Sequence, residues 1–368
     1  MDPCTRLFVY CRPGFEKETR SEMDARAARM GVAGSSEAPE RSGWVLFAPA
    51  MPGVSRSLLS KLHNPPLVFA RHLLAVDAGG ASLPPGDRIA PLLMRIERLA
   101  KTHGPFVALW IGAPDSEEGR ALAPLGRALH GRLEAGMRER GWLMELNGKE
   151  GVRAEVVLLS GTEALTGISV VGEALSWPMG IPRLRRPASS PSRAALKLEE
   201  ALVLLLTPQE RASWLCAGRT AVDLGAAPGG WSRMLLADGV TVTAVDRADL
   251  APELRGVTQL RHVREDGFRY RPVKPVDWLF CDMVEQPRRI VELIANWALS
   301  GWCRMALFNL KLPMKKRFEE LEICRERLTG VLRAAGIGSR LEFRQLYHDR
   351  EEVTGLLRVL KGPRRRGG

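Results

Sequence analysis

The chain has 368 residues, 45% of them hydrophobic, and a net charge of +12 with a pI near 9.9. That length calls for about two to three domains. No run of eighteen apolar residues offers a membrane span, and the opening apolar run is too short for a secretory signal.

So basic a surface is the footprint of a nucleic-acid binder. Arginine supplies most of the charge, and its planar fork of donors suits phosphate better than it suits an acidic protein or a membrane. Six cysteines stand at 4, 11, 216, 281, 303 and 324. They form no C-x-x-C pair and no zinc spacing with histidine, so they read as reduced structural thiols of a cytoplasmic protein, with no metal expected.

In chain order, Leu7 to Cys11 reads as a strand, Arg12-Pro13-Gly14-Phe15 as a turn and Glu16 to Met30 as a charged helix. Gly43 to Ala48 and Val68 to Val76 are strands, with a helix over Val54 to His63 between them. This β-α-β-α-β order over residues 1–78 suggests a ferredoxin-like α+β unit. The run Gly79 to Gly86 is a turn-rich joint. Beyond it come a helix (Arg88 to Lys101), a strand (Phe106 to Ile111) and a basic helix (Leu122 to Arg140) with Arg127, Arg132, Arg138 and Arg140. Ala154 to Leu159 and Thr166 to Val171 are paired strands. Residues 88–172 are similar in pattern to THUMP domains, which dock structured RNA. Taken alone, a basic helix is more often just a solvated face.

Residues 173–192 form a linker, with four prolines and three arginines between Trp177 and Ser192. Prolines keep such a segment extended. Arg183, Arg185 and Arg186 either track phosphates or belong to a plain connector.

From residue 193 to the end the pattern is α/β alternation. Arg193 to Leu206 is a helix, and the strands are Ala221 to Leu224, Val240 to Val245, Gln259 to Arg264, Val276 to Cys281 and Met305 to Leu312. Helices over Ile290 to Leu299 and Phe318 to Ala335 and two last strands, Leu341 to Leu346 and Val353 to Leu360, complete it. The pattern implies a Rossmann-like, mostly parallel, doubly wound sheet, whose ligands sit at the carboxyl ends of the strands. The small-residue loop after Leu224 falls there, as do Asp246, Asp266, Asp282 and Lys311.

That loop, T-A-V-D-L-G-A-A-P-G-G-W-S over Thr220 to Ser232, is strand, turn and helix start. Gly225, Gly229 and Gly230 leave room for a ligand at the backbone N–H groups, and the helix start favours a carboxylate. The spacing is neither G-x-G-x-x-G nor a P-loop, which argues against a dinucleotide or a triphosphate. Asp246 stands about twenty residues after the loop, as a ribose-binding acid does, or else caps a helix. Asp266 in R-E-D-G-F could be a plain turn. Lys197 alone reads as a surface helix residue paired with Glu200. A lysine inside F-N-L-K-L-P, Lys311, is costly without a purpose. Glu351 and Glu352 are adjacent and point to opposite faces of a strand.

D-L-G-x-x-P-G-G-W resembles the S-adenosylmethionine (SAM) loop of ribose 2′-O-methyltransferases. Lys197, Asp282, Lys311 and Glu352 match the K-D-K-E tetrad of those enzymes. Over nearly the whole chain, V-x-C-R-P-G-F-E-K-E, W-P-M-G-I-P-R-L, L-K-L-E-E-A, C-D-M-V-E, F-N-L-K-L-P-M-K-K-R and Q-L-Y-H-D-R-E-E-V-T resemble the M-type 23S ribosomal RNA cytidine 2′-O-methyltransferases (the RlmM family). The resemblance implies SAM as methyl donor, no metal, and a cytidine of the peptidyl transferase loop of naked 23S rRNA as target, methylated before the subunit assembles. A monomeric cytoplasmic enzyme without a membrane partner is expected. Lys311 would be the proton acceptor. A basic lysine needs its pKa brought down, by burial or a second cation, and Lys197 would be that cation. Asp282 and Glu352, with Glu351 as fallback, would orient the two ammonium groups. Ala194, Ala227, Pro228, Gly229, Gly230, Asp246, Asp266 and Asp282 would line the cofactor, with Asp266 facing the adenine amino group. Two departures stand out. Relatives often carry Cys where Ala227 stands, a position that works through its backbone. Where they commonly place a SAM-contacting Ser stands Ala194, so that contact is main-chain, or comes from Ser192, or is lost.

Other chemistries fit less well. A 5-methylcytosine enzyme needs a cysteine nucleophile, and Cys281 reads as a buried strand residue. A base-amino methyltransferase would carry Asn-Pro-Pro-aromatic where C-D-M-V stands. The alternative outside enzymes is an RNA-binding ribosome-assembly factor that has lost catalysis.

Overall fold

The computed structural model describes residues 2–144, 151–172, 177–184 and 194–361. Arg185, Arg186, Ser192 and the basic tail lie outside them. The chain divides into two compact units, 1–183 and 184–368. Among the described residues no helix is long and apolar enough to cross a membrane.

The first unit runs β1 (Cys4–Cys11), α1 (Glu16–Arg29), β2 (Gly34–Glu37), β3 (Trp44–Pro49), α2 (Ser55–Leu62), β4 (Ala70–Asp77), β5 (Ala81–Ser82), α3 (Ile89–His103), β6 (Ala108–Gly112), α4 (Glu117–Ala121), α5 (Ala123–Glu139), β7 (Gly151–Leu158) and β8 (Glu163–Val171). Its strands form one sheet in the order β2-β3-β1-β4-β8-β7-β6, with β5 on β8. Residues 1–78 and 88–172, read from sequence as separate modules, therefore share a sheet. The seam is β4 on β8, where Val76 faces Gly167. A Cβ on Gly167 would lie 2.3 Å from the Ala75 carbonyl oxygen, so this close approach admits only glycine. One face of the sheet buries Leu7, Val9, Leu73, Ala154 and Ile168 with helical residues such as Met23, Leu59, Ile96 and Leu133. On the other face the buried His72 meets Glu155 at 2.8 Å, and the Arg153 guanidinium lies 3.7 Å from the Trp110 ring centre.

The expected linker starts later than its prolines suggest. Pro178–Gly180 is a single 3₁₀ turn packed on β4 and β6. Gly180, at φ 68°, sits where a Cβ would lie 1.9 Å from the Arg71 carbonyl oxygen. Residues 177–183 thus belong to the first unit, and Arg183 is exposed at its end.

The second unit runs α6 (Ala194–Leu205), α7 (Pro208–Trp214), β9 (Thr220–Leu224), α8 (Gly230–Ala237), β10 (Thr241–Val245), β11 (Leu260–Val263), β12 (Val276–Cys281), α9 (Pro287–Leu299), β13 (Cys303–Lys311), α10 (Arg317–Ala334), β14 (Gly338–Arg344) and β15 (Glu352–Lys361). The sheet order is β11-β10-β9-β12-β13-β15-β14. The first five strands are parallel, and β15 and β14 run antiparallel. α6 packs with α8, and α9 with α10. Behind α6 and α8, Leu198, Leu202, Trp231 and Leu235 pack on Val242, Trp278, Phe280 and Leu307 of the sheet. The chain starts in the middle at β9, winds out to β11, then returns to β12 and winds the other way. The crevice at that switch, beyond the carboxyl ends of β9 and β12, is where such sheets bind ligands.

Candidate active site

The loop from Gly225 to Gly229 opens at this switch. The Gly225 N–H donates to the Val245 carbonyl at 3.0 Å. Its φ is +76°, and a Cβ there would meet Met283 Cγ at 2.8 Å. Gly229, at φ 104°, caps α8. A Cβ on it would meet Leu254 Cδ1 at 2.2 Å. Small residues are therefore required twice, and α8 points its free N–H groups at the opening. Gly230 is buried as the first residue of α8, and the Pro228 carbonyl accepts from Ala251 N–H at 2.9 Å.

Asp246 caps no helix. One carboxylate oxygen accepts from the Ala227 N–H at 3.0 Å, and the other from the Ala248 N–H at 2.9 Å. It ties the loop to the end of β10 and keeps lone pairs free at its half-exposed edge. Asp266 accepts from the Phe268 N–H at 2.9 Å, while its other oxygen holds Arg247 at 2.7 Å. Met283, just after Asp282, packs where a Cβ on either Gly225 or Gly267 would stand, so three strand ends converge on it. Ala194 opens α6.

Beside the loop, four side chains from four elements meet. Asp282 Oδ1 lies 3.4 Å from Lys197 Nζ, 3.3 Å from Lys311 Nζ and 2.8 Å from Asn309 Nδ2. Glu352 Oε1 lies 2.5 Å from Lys197 Nζ, and its Oε2 accepts from Lys311 Nζ. Two ammonium groups are thus bridged twice by two carboxylates. The Lys197 side chain is 9% exposed and that of Lys311 is 30% exposed, so Lys311 is the one open to an incoming group. Glu352, not Glu351, is the buried partner. Glu351 turns outward and pairs with Arg317.

One alternative and one expectation fail. Lys197 does not pair with Glu200, as a plain surface helix residue would, but with Asp282 and Glu352. Glu200 instead accepts from the backbone N–H groups of Tyr347 (2.7 Å) and His348 (3.0 Å) and bonds the His348 ring at 2.6 Å. Nor does the Lys311 pKa come down. Burial lowers it, but Asp282 and Glu352 together outweigh burial and hold it above the usual lysine range.

Sequence reasoning passed over the polar residues behind the tetrad. Asn309 Oδ1 accepts from the Thr354 hydroxyl at 2.7 Å. Thr354 reaches the buried Asp349 at 3.4 Å, whose carboxyl is pushed well up, first by burial. Asp223, also buried, accepts from the Ser232 hydroxyl at 2.7 Å. Burial pushes its carboxyl up to about 7. Asn309, Thr354 and Asp223 are each a polar residue inside an apolar strand, which was the available signal, whereas Asp349 sits in the charged run from His348 to Glu352 and gave none. Cys281 is buried, and burial pushes its thiol up to about 12, so it is no thiolate nucleophile.

Three family models match the chain: the RlmM ferredoxin-like domain over residues 4–74, the ribosomal RNA large subunit methyltransferase M N-terminal region over residues 87–170, and the FtsJ-like methyltransferase over residues 191–324. The last takes in Lys197, Asp282 and Lys311 and stops short of Glu352. A ribosomal RNA large subunit methyltransferase M of Xylella fastidiosa (strain M12) is 45% identical, with 95% of this chain and 97% of that protein covered. The protein of the same name from Xanthomonas oryzae pv. oryzae (strain PXO99A) is 42% identical, over 95% of this chain and 98% of that protein. The Xanthomonas axonopodis pv. citri (strain 306) protein is also 42% identical over the same shares.

Proposed function

The chain belongs to the ribosomal RNA large subunit methyltransferase M family, and from that premise we propose that it methylates the ribose 2′-oxygen of a cytidine in 23S rRNA. The donor is SAM, the acceptor lies in the peptidyl transferase loop, and the substrate is naked RNA before the large subunit assembles. The observation that carries this reading is the doubly bridged Lys197–Asp282–Lys311–Glu352 group beside the glycine loop.

The loop suits a cofactor with a carboxylate end. Gly225 and Gly229 give it its tight positive-φ turns, packed on Met283 and Leu254, and the start of α8 offers N–H groups to a negative charge. Ala227, Pro228, Gly229 and Gly230 would hold the methionine end, with Ala194 near it through its backbone. Asp246 would take the ribose hydroxyls, Asp266 the adenine, and Asp282 the region of the sulfonium. When bound, SAM supplies an electrophilic methyl group.

The ribose hydroxyl is a poor nucleophile and must lose its proton as it attacks. Lys311, the more open ammonium, is the group a hydroxyl can reach. In its neutral form it accepts that proton on Nζ, and Asp282 and Glu352 then stabilise the ammonium formed. Lys197 neutralises the second negative charge and holds both carboxylates in place. Positioning of hydroxyl and methyl supplies much of the rate. The scheme needs no metal, because both carboxylates already carry ammonium groups. The first unit, with Arg127, Arg132, Arg138 and Arg140 exposed along and just beyond α5, is assigned to RNA docking as a THUMP-bearing half. The enzyme acts as a monomer in the cytoplasm, without a membrane.

The test is methyl transfer from labelled SAM to naked 23S rRNA and to assembled large subunits. One label per naked RNA, at a cytidine whose 3′ linkage resists alkali, is expected. Label in a base, or transfer only to assembled subunits, would refute the reading.

A further inference from the structure

Six large hydrophobic side chains are exposed among the described residues of the second unit: Val273, Val284, Met314, Val331, Tyr347 and Leu360. Three of them stand beside the tetrad in sequence. Val284 is two residues after Asp282, Met314 three after Lys311, and Tyr347 five before Glu352. Parallel β12 and β13 end at the same sheet edge, and antiparallel β15 begins there. The three loops therefore rim one opening. Single exposed apolar residues are ordinary, but exposed apolar residues gathered at the mouth of a polar site call for a ligand with an apolar face.

Tyr347 is the aromatic member, and its loop is held on three sides. Its N–H donates to Glu200 at 2.7 Å, and Glu200 lies three residues beyond Lys197 on α6. Leu312 N–H donates to the Glu351 carbonyl at 2.8 Å, tying the loop to the end of β13. Asp349 accepts from the Leu346 N–H at 2.9 Å and connects through Thr354 and Asn309 to Asp282. Leu346 is fully buried while Tyr347 is 38% exposed. The Tyr347 ring stands edge-on to the His348 ring, with centres 5.3 Å apart, and His348 is itself held by Glu200. An aromatic ring is thus fixed at the rim by the same elements that fix the tetrad.

We propose that Tyr347, with Met314 and Val284, forms the subsite for the pyrimidine base of the acceptor nucleotide, unstacked from the RNA and packed on the tyrosine ring. This rests on the 2′-O-methyltransferase reading above. Single-stranded bases are commonly held by stacking on aromatic side chains. Lys315 and Lys316, exposed beside Met314, lie where neighbouring phosphates would pass. Stacking here fixes the ribose by its base, so that the 2′-hydroxyl faces Lys311.

The test uses full-length wild type, Tyr347→Ala and Tyr347→Phe, with saturating SAM and naked 23S rRNA in single turnover. Tyr347→Ala should lose roughly 10- to 100-fold in transfer rate per RNA concentration, with SAM affinity unchanged. Tyr347→Phe should keep near wild-type transfer. RNA carrying 5-iodocytidine at the nucleotide that the wild type methylates should crosslink to Tyr347. Full activity of Tyr347→Ala, loss of activity in Tyr347→Phe, or a crosslink confined to another region would overturn the proposal. A wild type that methylates no 23S rRNA would instead sink the methyltransferase reading itself, so the two failures are distinct.

Discussion

Lys311 and Glu352 are opposite partners in the antiparallel β13–β15 ladder, and their side chains join as well. Directly opposed residues share a sheet face, so the fold itself sets this contact. Asp282 closes the arrangement at 3.3 Å from Lys311.

The first prediction follows from this pair. Burial draws Lys311 toward its neutral form, yet Asp282 and Glu352 outweigh burial and raise its pKa. Base catalysis needs the neutral amine, so the single-turnover rate should climb with pH into the alkaline range. Glu352→Gln removes one of the two opposing carboxylates. The midpoint of its pH–rate profile should shift to lower pH, even where the maximum rate falls. A midpoint that stays or rises would show that Glu352 does not control the ionisation of Lys311.

Asn309 is fully buried, donates to Asp282 and accepts from Thr354. Asn309→Ala takes one hydrogen bond from each partner, leaving Asp282 to the two lysines and Thr354 to Asp349, at a cost of about 1–3 kcal/mol. Urea unfolding should show a lower midpoint with an unchanged slope, and methyl transfer should slow because Asp282 loses its anchor. Lower stability with an unchanged transfer rate would make Asn309 a scaffold residue only.

Asp223 gives a stability prediction. Its folded pKa is pushed up by burial to about 7, whereas an unfolded aspartate titrates near 3.9. The folded chain therefore binds this proton more tightly. The stability it brings is complete below about pH 4 and is lost as pH rises through about 7. Asp223→Asn cannot ionise. Its stability relative to wild type should grow between those limits, by about 4 kcal/mol in all, and then level off. Urea melts across that range check it, and a constant difference would refute the assignment.

The strand ends and the glycine loop were legible because turns and apolar runs are local signals. The strand expected over Val276 to Cys281 has the same bounds as β12. Lys197 was harder. Helical spacing pairs it with Glu200, but tertiary packing turns Lys197 toward Asp282 and Glu352 and gives Glu200 to the backbone at Tyr347 and His348. The Asn309–Thr354–Asp349 chain joins residues from two strands and a loop, so no sequence window holds it. β2, Gly34–Glu37, lacks any apolar alternation. By contrast α7 announced itself through a capping box, Thr207 with Glu210, which the apolar-periodicity reading passed over. The turn-rich joint at Gly79 to Gly86 hid β5, a two-residue strand that pairs with β8.

Lys311 as proton acceptor is tested most directly by single-turnover methyl transfer to naked 23S rRNA with Lys311→Ala, alongside SAM binding by calorimetry. Removing a positioned base should slow transfer by about 10²–10⁴-fold, with SAM affinity close to that of the wild type. Transfer at the full wild-type rate would contradict the assignment of Lys311.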